Sequence, residues 1–476
     1  MHLLDLGIFI AYMLAMLGVG YFYMKKNTSQ EDYYVGGRKI GSLHIGLSVV
    51  ATDVGGGFSI GLGGLGFAMG LSGSWMLFTG LIGAWMAAVI LIPRVKSDPA
   101  FSRFFTFPQI IGYLFDSKAA KVAATICFLG YLGFTASQLL AGAKLASGTF
   151  PDLDMNTALL IMGVIAVVYT VMGGLKAVIY TDTIQWIILM LGLMGIGLPM
   201  AYSFVGGWQG ITETLPPEFF SLTQLSWQDL VNWGVTIIPI WFVGMTLYQR
   251  IFAARDVQSA KRAWFIAGLF EWPIMAFLGV SLGLLSRVAV EQGILENFTA
   301  QMDPEMGLPV LLSQILPAGL MGLMMSAYFS AVLSTADSCL MAASGNLTTD
   351  LIGKYFGNLS HHQEVRLSQL LTLLIGVLAV VLAWQMTEVL SLMLYSYAFM
   401  VSGLLVPVIA GLFFKQKNSK AAITAMVFGG VFTAGLTLAD VALPWGLDPN
   451  LFGIFISLIA FIAVTAYSIK SKTKTI

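Results

Sequence analysis

Apolar stretches of about twenty residues, separated by short polar connections, recur along the whole chain, and each is long enough to cross a bilayer. Thirteen such spans are predicted, over about 3–24, 42–68, 73–95, 120–147, 155–173, 177–205, 228–252, 262–287, 311–345, 366–385, 388–414, 420–440 and 450–470. The 311–345 stretch exceeds one crossing and contains Pro317-Ala318-Gly319, so a short external helix is expected at its start. The connections at about 206–227 and 288–310 are polar and long, and they read as extramembrane caps.

Two spans break the apolar pattern from within. Ala51-Thr52-Asp53-Val54-Gly55-Gly56-Gly57-Phe58 sets three glycines and an aspartate at mid-membrane depth. Glycine weakens a helix interior, and an ionisable residue there costs about 2.5–3.5 kcal/mol on insertion scales. A helix that unwinds halfway, freeing carbonyls and amides for an ion and a ligand, accounts for both features. A glycine-rich packing face with one buried aspartate is the alternative. The seventh span, Ile237-Ile238-Pro239-Ile240-Trp241-Phe242-Val243-Gly244-Met245, carries proline and glycine in the same way. It lies five spans later and runs in the opposite sense, as an inverted five-plus-five repeat requires.

Composition sets the class. Hydrophobic residues are 57% of the chain and charged residues 10%, far below the roughly 25% of soluble domains, with mean hydropathy +0.84. This is a polytopic membrane protein. Its first span lacks a basic leader and ends in Lys25-Lys26, so it is read as a helix rather than a cleaved signal. Starting the chain outside puts all 24 Lys and Arg residues except Lys144 and Arg287 on the cytoplasmic side. The topology expected is N-out and C-in. Cys127 and Cys339, both in apolar segments, read as buried inert thiols.

Further polar groups lie inside the bilayer. On the ninth span, Ala331, Ser334, Thr335 and Ser338 share one helical face beside Asp337. Hydroxyl and carbonyl oxygens suit a small hard cation, not a transition metal. Asp182 lies more than a turn into the sixth span, with Lys176 as its nearest partner in sequence.

The run Gly173-Gly174-Leu175-Lys176-Ala177-Val178-Ile179-Tyr180-Thr181-Asp182-Thr183-Ile184-Gln185 resembles the signature of the sodium:solute symporter family. The likeness extends to Ala51–Gly57, Phe134–Gly142 and Ser330–Ser338. It implies an all-α LeuT-type fold in a single transmembrane domain over 1–476: an extra helix at 3–24, repeat one at 42–205, repeat two at 228–414, and C-terminal helices at 420–470. By the same resemblance, a sodium ion is held by the carbonyls of Ala51, Val54 and Ala331 and the hydroxyls of Ser334 and Thr335. A second sodium is matched by Asp182, Ser334, Asp337 and Ser338, with Asp337 standing where relatives of this type have a hydroxyl.

The substrate positions implied are Asp53, Gly56, Phe58, Phe78, Phe134, Gln138, Trp241, Met245, Tyr248 and Tyr397. They describe a small aromatic pocket poor in basic groups, suited to an amino acid or compact metabolite more than a sugar. The function expected is sodium-coupled symport by a multi-pass protein of the cell (inner) membrane, working as a monomer in the lipid bilayer, with no nucleic-acid partner. A proton-coupled carrier of the same fold is the alternative. An enzyme is not expected: Gly70-Leu71-Ser72-Gly73 matches the serine motif of intramembrane proteases, but no histidine reaches Ser72 from another membrane helix.

Overall fold

The computed structural model describes residues 3–26, 30–150, 152–295, 298–352 and 361–473. Lys354 and Lys474, which the charge pattern assigns to the cytoplasmic side, lie outside them, as do the side chains of Val54 and Phe58. The described residues form helices and turns with no named strand.

The principal helices are α1 (Leu3–Lys26), α2 (Ser42–Met69), α3 (Trp75–Met86), α4 (Ser117–Thr149), α5 (Met155–Gly192), α6 (Trp227–Val243) and α7 (Met245–Ala253). They continue as α8 (Val257–Leu269), α9 (Ala276–Glu291), α10 (Leu320–Gly345), α11 (His361–Ala383), α12 (Val389–Leu412), α13 (Ser419–Leu438) and α14 (Pro449–Thr473). Among the described residues, eight helices are long and apolar enough to cross a membrane, or nine with the bent pair α6–α7 taken as one span.

Helix α5 is continuous in backbone hydrogen bonding but is not one rod. Tyr169 Oη and Thr181 Oγ1 are 3.2 Å apart, whereas twelve residues of straight helix span about 18 Å. The segment folds back between them, which leaves Met155–Val171 and Leu175–Phe204 as separate apolar arms. These are the two spans the hydropathy pattern predicts.

Helix α10 forms the centre. Every residue from Met324 to Asn346 is buried, as expected of a helix enclosed on all sides. It packs against α1, α2, α4, α5 and α11. Helices α8 and α9 lie along α2, and α12 joins α4 to the C-terminal pair α13–α14. The two thiols are free and buried, as the sequence suggests.

Outward faces are apolar. On α11, Leu370, Leu374, Val377 and Val381 form an exposed stripe at helical spacing, a surface made for lipid. Exposed Trp208, Trp227, Trp384 and Trp445 sit at helix ends and connections, as interfacial tryptophans do.

Three buried charged residues, Lys144, Glu305 and Asp5, tie helices together. Lys144, only 2% exposed, pairs with Asp303 and with Glu305 at 2.5 Å. Glu305 also accepts the amides of Val389 (2.9 Å) and Leu390 (3.0 Å), capping the N-terminus of α12. Asp5 Oδ1 accepts the amides of Gly319 (2.7 Å) and Gly322 (2.8 Å), and so caps α10 from another helix.

Candidate ion and substrate site

Helix α2 breaks at Gly55, whose backbone stands at φ 40°, ψ −167°. That conformation favours glycine, and a Cβ at Gly55 would collide with Thr335 Oγ1 on α10. Gly56 meets Val332 equally closely, so it serves the α2–α10 contact. The expected unwinding is present, and it is seated against the hydroxyl-bearing face of α10.

At this break Thr335 Oγ1 lies 3.0 Å from the Ala51 carbonyl oxygen and 3.3 Å from that of Ala331. One hydroxyl and two carbonyl oxygens from two helices thus converge, a donor set of hard oxygens suited to sodium. Val54 lies on the same turn of α2 as Ala51. Ser334, one residue from Thr335, donates its hydroxyl to Asp182.

The second break separates α6 from α7 at Gly244 (φ −65°, ψ 116°), with a bend of 42°. The backbone groups it frees are satisfied by tyrosines. Tyr131 Oη on α4 accepts the Thr246 amide at 3.1 Å, and the Tyr248 hydroxyl donates to the Phe242 carbonyl at 2.8 Å. Met245 takes the Phe107 amide on its sulfur at 3.1 Å. Tyr248 and Met245 are therefore engaged in holding the break, with the Tyr248 ring 4.8 Å from that of Phe107.

Arg250 changes the reading of Asp182. The sequence pattern places Arg250 among the cytoplasmic bases and offers Lys176 to Asp182; instead Arg250 is fully buried and stands 3.6 Å from the Asp182 carboxylate. Its Nη2 donates to Thr52 Oγ1 (2.6 Å) and Ser338 Oγ (2.8 Å), Nη1 to the Thr246 carbonyl (3.2 Å), and Nε to Ser48 Oγ (3.1 Å). Ser48 passes the link on, donating to Asp182 at 2.5 Å. The reason is geometric: α7 starts at mid-depth and points this long side chain back along its own turn into α2 and α10. Asp337 is also fully buried. Its Oδ1 takes the Thr170 hydroxyl, while Oδ2 has no hydrogen-bond partner.

Asp53 sits between Ala51 and Val54 on α2. Its Oδ1 accepts the Tyr397 hydroxyl at 3.2 Å, and the Tyr397 ring is edge-on to Phe134 at 4.9 Å. Its other neighbour is Glu271, a residue that the sequence reading overlooked, held within hydrogen-bonding reach of it. Glu271 lies at a widened turn, Phe270–Met275, where Trp272 departs from helical geometry between α8 and α9. The carboxyl of Glu271 is fully buried and packed on Gly80 of α3, and one turn further Gly83 packs on Trp241. Phe78, on the same helix, joins Trp75 and Trp272 in an aromatic cluster with centroids 4.9 Å apart for Phe78–Trp272. Asp53, Tyr397 and Phe134 are linked in one chain of contacts beside this acid, and Trp241 packs on α3 one turn from it. Gln138 is buried one turn along α4 from Phe134, near Met393.

The chain from residue 33 to 429 matches the family model described as the sodium:solute symporter family. Among curated relatives, the osmoregulated proline transporter OpuE of Bacillus subtilis is 28% identical, with 97% of this chain and 94% of that protein covered. The sodium/glucose cotransporter of Vibrio parahaemolyticus is 26% identical, over 98% of this chain and 90% of the other. Among solved structures, a Na+-coupled sialic acid symporter in a substrate-bound outward-open state superposes with a TM-score of 0.77 at 22% identity, covering 96% of both chains.

Proposed function

The chain belongs to the sodium:solute symporter family, and on that premise we propose that its sodium is bound at the Gly55 break by Ala51, Val54, Ala331, Ser334 and Thr335. It is a sodium-coupled transporter that takes up a small solute. The observation that carries the site is the approach of the Thr335 hydroxyl to the Ala51 carbonyl across two helices. An ion that ties the unwound part of α2 to α10 makes solute affinity depend on sodium, because α2 also borders the solute position through Asp53.

The solute itself is placed among Asp53, Phe134, Trp241 and Tyr397, between the two broken helices. A compact organic solute such as an amino acid fits these groups better than a sugar does, since they offer few hydrogen-bond donors. The thirteen-span N-out, C-in topology, residence in a bacterial cell membrane and action as a monomer complete the reading.

A second cation belongs to it as well. Asp182 and Asp337 are two buried carboxyl groups of which only Asp182 faces a guanidinium, and a cation beside Asp337 would supply the counter-charge its ionised form needs. Ser334, Asp337 and Ser338 surround the place where it would bind.

Sodium binding is tested without knowing the solute. Sodium chloride should raise the thermal unfolding midpoint of the purified protein over equal potassium chloride, and Thr335→Ala should remove most of that rise. Equal stabilisation by both salts would defeat the assignment. A proton-coupled carrier is the second reading, favoured by the contact of two acids, Asp53 and Glu271; uptake driven by a proton gradient in sodium-free vesicles would establish it.

A further inference from the structure

We propose that the crevice between α1, α5 and α10 binds a small uncharged alcohol or phenol from the membrane, with its hydroxyl turned inward onto Gln185. This site is separate from the ion and solute positions and does not depend on either.

The crevice holds about 180 Å³ near the midpoints of α1 and α10. Met13, Met16 and Leu17 of α1 form one wall, and buried Leu333 of α10 closes the inner side. Val164 and Val168, on the first arm of α5, form the outer lip. They are 64% and 47% exposed on the outside of the bundle, so a molecule enters from the lipid. Two buried polar side chains interrupt the apolar lining, Gln185 on the second arm of α5 and Ser330 on α10. Gln185 Nε2 donates to the Met16 sulfur at 3.1 Å, which fixes the way the amide points. Its Oε1 is left with no donor. Ser330 Oγ makes no hydrogen bond either, although the Tyr12 hydroxyl lies within reach of it. The remaining polar group, the Tyr169 hydroxyl, is paired with Thr181 at 3.2 Å. An acceptor left open at this depth is costly, because the bilayer core offers it no water.

Volume, polarity and charge select the occupant. A water molecule takes about 30 Å³ of the liquid, so about six would be needed here, each with two to four polar partners. Two open polar atoms cannot hold that many. An apolar cavity of about 150 Å³ binds benzene, so this one takes a six-membered ring with about one or two further atoms. Gln185 Oε1 is satisfied only by a hydrogen-bond donor, which excludes hydrocarbons, acyl chains and their esters. No carboxylate or basic residue lines the crevice, so a charged donor is excluded too. A neutral hydroxyl on a compact apolar body meets every condition, and its oxygen then accepts from Ser330. Such an occupant lies directly behind the polar face of α10. Leu333 adjoins Ser334, the donor to Asp182, and Tyr169 adjoins Thr170, the donor to Asp337.

The test follows 4-fluorophenol by fluorine NMR with the purified, full-length protein in detergent. Its comparators are 4-fluoroanisole, which has the oxygen but cannot donate, and 4-fluorotoluene, the hydrocarbon. Wild-type protein should broaden the 4-fluorophenol signal saturably, and unlabelled phenol should displace it. Its affinity should exceed that for either comparator by about fivefold or more, the worth of one hydrogen bond. Val168→Trp fills the crevice from its half-exposed lip and should abolish the saturable part, leaving partition into the micelle. Gln185→Met, its folding checked by the thermal midpoint, should bring 4-fluorophenol down to the affinity of 4-fluoroanisole. Equal affinity for the three probes overturns the proposal and makes the crevice a gap filled by lipid chains. So does a 4-fluorophenol signal that does not saturate or is unchanged by Val168→Trp. A preference for the donor that survives in Gln185→Met overturns it as well.

Discussion

The Arg250 guanidinium and the Asp182 carboxylate stand 3.6 Å apart, both fully buried, with the Ser48 hydroxyl bonded to each. Removing one partner strands the other's charge, a loss of about 3–5 kcal/mol in buried pairs. Arg250→Met should therefore lower the thermal midpoint sharply. The double variant Arg250→Met, Asp182→Asn should recover a large part of that loss. A double variant no more stable than Arg250→Met would mean that Arg250 acts chiefly through Thr52 and Ser338.

Ser334 and Thr335 play unequal parts, and their variants should show it. Thr335→Ala deletes a hydroxyl 3.0 Å from the Ala51 carbonyl and is expected to raise the sodium concentration for half-maximal uptake tenfold or more. Ser334→Ala also unpairs Asp182 from a donor, so it should reduce stability as well as sodium affinity. Sodium titrations of uptake and of thermal midpoint separate the two effects.

Gly55 tolerates no side chain. Its positive φ and the closeness of Thr335 together should cost Gly55→Ala about 1–3 kcal/mol and abolish stabilisation by sodium. Gly7→Ala, in open space on α1, is the matched control and should leave both unchanged. Thermal melts in sodium and in potassium decide it.

The second cation has an electrical readout. If Asp337 shares an ion with Asp182, reversal potentials in proteoliposomes should give a sodium:solute ratio of two. Asp182→Asn should bring it towards one, and Asp337→Ser, which keeps an oxygen ligand, should retain transport with altered cation affinity. Each extra charge moved is worth about 2.3 kcal/mol at 100 mV. A wild-type ratio of one would leave Asp337 to its contact with Thr170.

Local disorder in the apolar pattern was the most informative part of the sequence. Three glycines around an aspartate marked the α2 break, and Pro239 with Gly244 marked the α6–α7 break, because a helix interior penalises both residue types. The hydroxyl stripe of α10 was readable from helical spacing alone. Glu271 carries the same kind of signal, an acid before Trp272-Pro273 inside an apolar span, but a single acid leaves the average hydropathy of that span high. Arg250 differs for another reason: a base near a helix end reads as cytoplasmic, and its burial follows from how α7 packs among other helices. The pairing of Asp182 with a residue 68 positions away is a property of the fold. Lys176 was merely closer along the chain.

The cap that Asp5 places on α10 makes α1 a mechanical attachment of the central helix. Whatever α10 does during the transport cycle, α1 is carried with it, and the slip plane between moving halves has to run elsewhere. Spin labels on α1 and α10 should accordingly keep one separation with and without sodium, and Asp5→Ala should let that separation broaden. The first helix is thus fastened at its head to α10 while it also lies along α5.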